Sequence, residues 1–312
     1  MLVIADHCGR LGNRLWTFAN ALAWGMENGC SVLAPGFAEY AAHFPELARH
    51  SRTPGWLAPG CLGRRLAATT PASAWKLLFR LNLRLRAWPY LAVPDGEALD
   101  LDSAGRPASM RSAPLVFLTG LYSLASVSLR KHSESVRSLF RPTDALRRQA
   151  EAVVGAARHT SDVVVGIHVR QGDYRIYCGG VMFYTSEEYA DQMRRLQSLW
   201  PGRAVAFVVC SDEPQPPEAF AGLDVHWGPG TPVADLHSLA LCDDIVGPSS
   251  TFSRWASFWG EKPLWRMDWK AEERYHAATV TRCPAVADFA VCSTPSHLVD
   301  EGRLRHWHAG VA

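Results

Sequence analysis

Lysine is scarce in this chain. Only four of its 32 basic residues are lysines, at positions 76, 131, 262 and 270, and arginine carries the rest. Arginine is the better fork for phosphate or carboxylate, but genome composition yields the same bias, so little rests on it. One-sided charge is missing too. The formal net charge is +2, which leaves no global field to draw nucleic acid. Eight cysteines occur (Cys8, Cys30, Cys61, Cys178, Cys210, Cys242, Cys283 and Cys292), and no two form a C-x-x-C pair. That argues against structural zinc. Cys210, after Val208 and Val209, reads as a small buried hydrophobe in a reducing compartment. No run of eighteen apolar residues is present to span a membrane. The opening, Met1 to Asp6, is a short apolar strand without the shape of a signal peptide. A cytoplasmic location is expected, extending to the inner face of the membrane. No Asp-x-Asp pair stands where a diphosphate-bound cation would need it, so no metal and no cofactor are expected.

What is present is an ordinary globular composition, with 48% apolar and 20% charged residues over 312 positions. That length suits about two domains of ~100–200 residues. Met1–Ala5 reads as a strand, Gly9–Asn13 as a turn, Leu15–Met26 as a helix closed by Gly29, and Ser31–Leu33 as the next strand. Residues 36–112 show no clean period, except Trp75–Arg86. The preferred reading of that stretch is a half-buried helix with snorkelling arginines. The other is a basic amphipathic helix making peripheral membrane contact through 75–86. Leu115–Leu118 reads as a strand, and 133–158 as a helical bridge between halves.

The second half alternates regularly. Strands are expected at Val163–His168, Ala204–Val209, Val225–Trp227, Ile245–Val246 and Leu264–Trp265. Helices are expected at Ser186–Leu199, Asp235–Leu241 and Phe252–Trp259. This is the pattern of a parallel sheet covered on both faces. The fold class is α/β with two domains and a cleft between them. Residues 1–150 form the N-terminal domain and 151–312 the C-terminal one, its last residues a helix packing back.

Four segments carry chemistry. Gly166-Ile167-His168-Val169-Arg170-Gln171-Gly172-Asp173-Tyr174 leaves the first strand of the second half, where open parallel sheets bind ligands. Arg170 offers a fork suited to a diphosphate, and Asp173 orients it. A buried Arg170–Asp173 pair tying a loop fits these residues as well. Cys210-Ser211-Asp212-Glu213-Pro214 follows another strand. Its Asp212 can accept from guanine or from ribose hydroxyls, or cap a helix. Asp235–Asp244 leads into Gly247-Pro248-Ser249-Ser250-Thr251-Phe252-Ser253, where three successive hydroxyls at a helix start suit phosphate. In Gly9-Arg10-Leu11-Gly12-Asn13, two glycines let a backbone approach a diphosphate closely. This segment is neither G-x-G-x-x-G nor a P-loop.

Taken in chain order from Gly9, and extended to Arg14-Leu15 and Trp255, these blocks resemble the GDP-fucose fucosyltransferases. The resemblance is strongest to the bacterial α-1,2 enzymes (glycosyltransferase family 11-like). It spans residues 1–265 with 36–112 unmatched. It implies a GT-B-like fold of two Rossmann-like domains facing a cleft, the second binding the GDP-sugar and the first lying on the acceptor side. It also implies an inverting, metal-independent reaction with GDP-fucose as co-substrate and a glycan as acceptor. Arg170 would bind the β-phosphate. His168 and Asp212 would contact the nucleoside, and Ser249, Ser250 and Thr251 the phosphates. Gly9, Gly12 and Asn13 would close over the donor, with Arg14 as a second cation. Three positions depart from the pattern. Gln171 replaces a second arginine, Arg14 replaces a glutamine, and Arg175-Ile176-Tyr177-Cys178 lacks a glutamate. Asp173, Asp6 and His7 stand as candidate bases. Two alternatives remain open: a GT-B enzyme with another nucleotide-sugar donor, and a non-catalytic nucleotide- or sugar-binding protein.

Overall fold

A computed structural model describes residues 1–5, 9–47, 72–92, 99–103, 113–120, 123–267 and 280–283. Asp6, His7 and the expected terminal helix lie outside the described residues. The chain divides into two compact units, Met1–Thr143 and Asp144–Ala312.

In the first unit, strands β1 (Leu2–Ile4), β2 (Val32–Leu33), β3 (Tyr90–Ala92) and β5 (Val116–Thr119) form a parallel sheet in the order β2-β1-β5-β3. Two short strands, β4 (Leu99–Asp100) and β6 (Ser123–Leu124), pair separately. Helix α1 (Leu11–Glu27) starts earlier than its period suggested, because Leu11 already belongs to its buried face. Gly9–Asn13 is therefore not a turn throughout. Gly12, Asn13 and Arg14 occupy the first turn of α1, and Gly12 is buried there. Only Gly9 keeps a turn geometry, at φ +70°, which favours glycine.

Among the described residues, α2 (Ala38–Ala41), α3 (Ala72–Leu85) and α4 (Ser126–Lys131) follow. The expected single bridge is two helices, α5 (Ser133–Leu139) and α6 (Asp144–Thr160). They break at 140–143 because Pro142 disfavours helix at the residue before it. The divide between units falls there, so α6 belongs wholly to the second unit.

The second unit holds β7 (Val163–Val169), β8 (Val205–Ser211), β9 (Asp224–Trp227), β10 (Asp244–Pro248), β11 (Leu264–Met267) and β12 (Val280–Cys283). Their order is β12-β11-β10-β7-β8-β9, parallel except for β12. Counted from β7, strands one to five lie in the order 3-2-1-4-5, the Rossmann arrangement, with its switch point between β7 and β10. Helices α7 (Ser186–Gln197), α8 (Pro232–Leu241) and α9 (Thr251–Gly260) complete it. A reciprocal capping box at Thr185 and Glu188 opens α7, and Pro232 opens α8.

Strand β7 is buried along its whole length. Val163, Val165, Ile167 and Val169 pack with Tyr189, Met193 and Leu196 of α7. Alternation sends Gly166 and His168 to the opposite face. A side chain at Gly166 would meet Leu239 of α8 at 3.0 Å.

Candidate active site

The strand alternation that buries β7 also aims Arg170. His168 points to the α8–α9 face, and Arg170, two residues on, leaves the strand end on the same side. Its guanidinium is held twice: Nη2 lies 2.6 Å from Asp173 Oδ1, and Nη1 lies 3.0 Å from Asp212 Oδ2. The two anchors differ. Asp212's side chain is only 16% exposed, whereas Asp173's is 43% exposed. Asp212 is itself fixed, since its Oδ1 accepts from the Gln171 N–H at 2.8 Å. The Arg170 N–H donates to the Tyr189 hydroxyl at 3.2 Å. So the backbone and the fork of this arginine are both preset.

Gln171 fills its position as a buried brace. Its Nε2 donates to the Tyr184 carbonyl and its Oε1 accepts from Gln215. An arginine there would put a charge among buried groups that already satisfy an amide.

The Ser249–Thr251 segment leaves β10, across the switch point from β7. The three hydroxyls are not equivalent. Ser250 is the N-cap of α9, its Oγ accepting from the Phe252 N–H at 3.2 Å. Ser249 Oγ accepts from Arg254 Nη2 at 3.1 Å. Thr251 is the first residue of the ten-residue helix, whose N-terminal amides favour an anion.

Two residues without an assigned role join these parts. Tyr174 lies under Arg170, its ring centroid 5.5 Å from the guanidinium carbon, and its hydroxyl donates to the Ser249 carbonyl at 3.3 Å. Arg254 is buried on α9 behind Ser249. Its only signal in the sequence was a charge inside an apolar helix. Asp235 is buried in the first turn of α8, where it accepts from the Gly230 N–H at 2.8 Å. Burial raises its carboxyl to about 6.

His168 is 5% exposed and stacks on Phe252, with ring centroids 4.8 Å apart. Burial, reinforced by the positive charge of Arg170, holds its pKa down to about 3. The ring is therefore neutral near pH 7 and adds no positive charge to the site. Below about pH 6.5 the unfolded chain protonates this ring while the native chain does not, so stability should fall with acidification. The penalty is about 2 kcal/mol at about pH 5, and His168→Gln should flatten that slope. Denaturant titrations at the two pH values check it; an unchanged slope would contradict the assignment.

In the first unit, Arg14 is engaged through three contacts. Nε donates to the Gly9 carbonyl at 3.0 Å, and Nη1 donates to the Gly36 carbonyl at 2.9 Å and pairs with Glu39. The space above Gly9 is taken by Asn13, whose Nδ2 would sit 2.1 Å from an added Cβ. Asp102 also works within this unit, accepting from the N–H groups of Val127 and Ser128 at the start of α4. Among the described residues, no three His, Cys, Asp or Glu side chains group so as to hold a metal ion.

No family model matches the chain, and no curated protein matches it by sequence. Solved structures do resemble it. A mutant of Arabidopsis thaliana FUT1 in complex with GDP has a TM-score of 0.60 at 16% identity, covering 94% of this chain and 76% of that one. NodZ α-1,6-fucosyltransferase soaked with GDP-fucose has a TM-score of 0.52 at 15% identity, covering 91% and 98%. POFUT1 in complex with GDP-fucose has a TM-score of 0.51 at 13% identity, covering 84% and 94%. The chain has the fucosyltransferase fold. This is the α/β class expected from the alternation of strands and helices, and the GT-B-like fold that the resemblance implied. At these identities the likeness is one of fold, and the chemistry rests on the residues.

Proposed function

We propose that the chain is a fucosyltransferase that moves fucose from GDP-fucose to a hydroxyl of a glycan acceptor. The observation that carries this is Arg170, a preset fork at the switch point of a Rossmann sheet, joined through Tyr174 to the Ser249–Thr251 helix start. A guanidinium beside helix amides suits a leaving diphosphate. The fold likeness to structures that hold GDP or GDP-fucose supports the choice of nucleotide.

In this reading the acceptor oxygen attacks the anomeric carbon as the bond to the β-phosphate oxygen breaks. GDP leaves, and the configuration inverts. Charge grows on the diphosphate, so Arg170 and the α9 amides contribute most. The diphosphate takes over the half of the fork now held by Asp173, the more exposed anchor and the one more cheaply displaced. In this reading Asp173, beside the departing diphosphate, accepts the acceptor's proton. Asp212 keeps Arg170 in place and, having lone pairs to spare, accepts from the nucleoside. His168 contacts the nucleoside as a neutral ring. The finer assignment is an α-1,2 linkage in a bacterial surface polysaccharide, made on the cytoplasmic side without metal.

Thermal shift tests the nucleotide. GDP at about 100 times its Kd should stabilise by ~2.7 kcal/mol, and UDP at the same concentration should not. Equal shifts with both would remove the GDP assignment.

A further inference from the structure

Helix α3 is anchored by one face only. Trp75, Leu78 and Phe79 pack on Val3, Ala5, Leu115 and Phe117 of the first unit. Asn82, 1% exposed, locks its C-terminal end by exchanging hydrogen bonds with the Trp88 backbone at 2.8 and 2.9 Å. The expectation of an ordinary half-buried helix holds for that face.

The side turned away from that core carries leucines as well as arginines. Leu77, Leu81 and Leu85 recur every four residues and form one stripe, 58%, 43% and 72% exposed, with Leu83 46% exposed. Arg80 and Arg84 are exposed at the same spacing, one residue before Leu81 and Leu85. Helical geometry sets the cation row alongside the leucine row. The charge is lopsided well beyond the helix. Residues 47–94 hold eight Lys and Arg and no Asp or Glu, in a chain whose net charge is only +2.

We propose that this face of α3 docks on an anionic membrane surface. Leucines at helical spacing suit the boundary between headgroups and acyl chains, and the adjacent arginines then lie at the phosphates. A protein partner would need a matching groove for this convex ridge, whereas a lipid interface conforms to it. A nucleic acid would meet the cations but gain nothing from four exposed leucines. No described helix is long and apolar enough to cross a membrane, so the contact is peripheral. This inference is independent of the reaction proposed above.

Flotation of the full chain with vesicles tests it, comparing phosphatidylcholine alone with phosphatidylcholine plus phosphatidylglycerol. The chain should float with the mixed vesicles at low salt, and less so as salt rises. Leu81→Ser with Leu85→Ser should weaken binding by about tenfold or more. Arg80→Gln with Arg84→Gln should weaken it about fivefold per charge. Both pairs are surface changes and should leave the melting temperature near that of the parent. Failure to bind the mixed vesicles at low salt would overturn the proposal. So would parent-like binding by a well-folded Leu81→Ser, Leu85→Ser variant, or light scattering showing that these leucines instead hold two copies together.

Discussion

Arg170→Lys is expected to lower turnover by about 10²-fold or more, the scale of losing one preorganised donor to developing charge. The present side chain reaches Asp173 at 2.6 Å and Asp212 at 3.0 Å through two different nitrogens. A lysine has one nitrogen. It keeps the charge but cannot hold Asp212 and present a second donor to a diphosphate in fixed geometry. Arg170→Ala should be worse and should also weaken GDP binding. A purely structural arginine predicts something else, because a part-buried carboxylate left without its partner costs stability. In that case activity would fall only as the folded fraction falls. Turnover per folded molecule, measured beside a melting curve, separates the two. A well-folded lysine variant with near-normal turnover would remove the central residue.

Gly172→Ala should produce the second largest effect, through Asp212. A Cβ at Gly172 would stand 2.9 Å from Asp212 Oδ2, the oxygen that pairs with Arg170 Nη1. The carboxylate must move, and the fork moves with it. A displacement on the order of 1 Å at a positioned group can cost about 10²-fold in rate. The loss should appear in kcat with little change in melting temperature, because the clash is with a side-chain tip. Parent-like kcat would mean that the Asp212 contact does not set Arg170's position.

The second unit was legible because its strands are nearly unbroken apolar runs. Val163–Val169 is buried on both faces, so its sequence carries no other pattern, and polar residues at its end stood out. Arg170, Asp173 and Asp212 were visible for that reason. Tyr174 and Arg254 were not, because their roles come from contacts across the fold, such as the 75 residues between Tyr174 and Ser249. Helical periodicity was read correctly in α1, but its start was missed. Arg10 caps the helix with no side-chain hydrogen bond, so no capping residue marked the boundary. The outward leucines of α3 show a further limit. Spacing defines two faces of a helix but not which one the sheet covers, and Trp75 and Asn82 settled that by packing.

The most direct test of the account is donor consumption. The chain is incubated with GDP-fucose, GDP-mannose and UDP-glucose in turn, in the presence of EDTA and a panel of saccharide acceptors, and nucleotide release is followed. The account predicts GDP release from GDP-fucose, undiminished by EDTA, and little from the other two. Release from UDP-glucose instead, or no turnover of GDP-fucose by a chain that binds GDP, would contradict it.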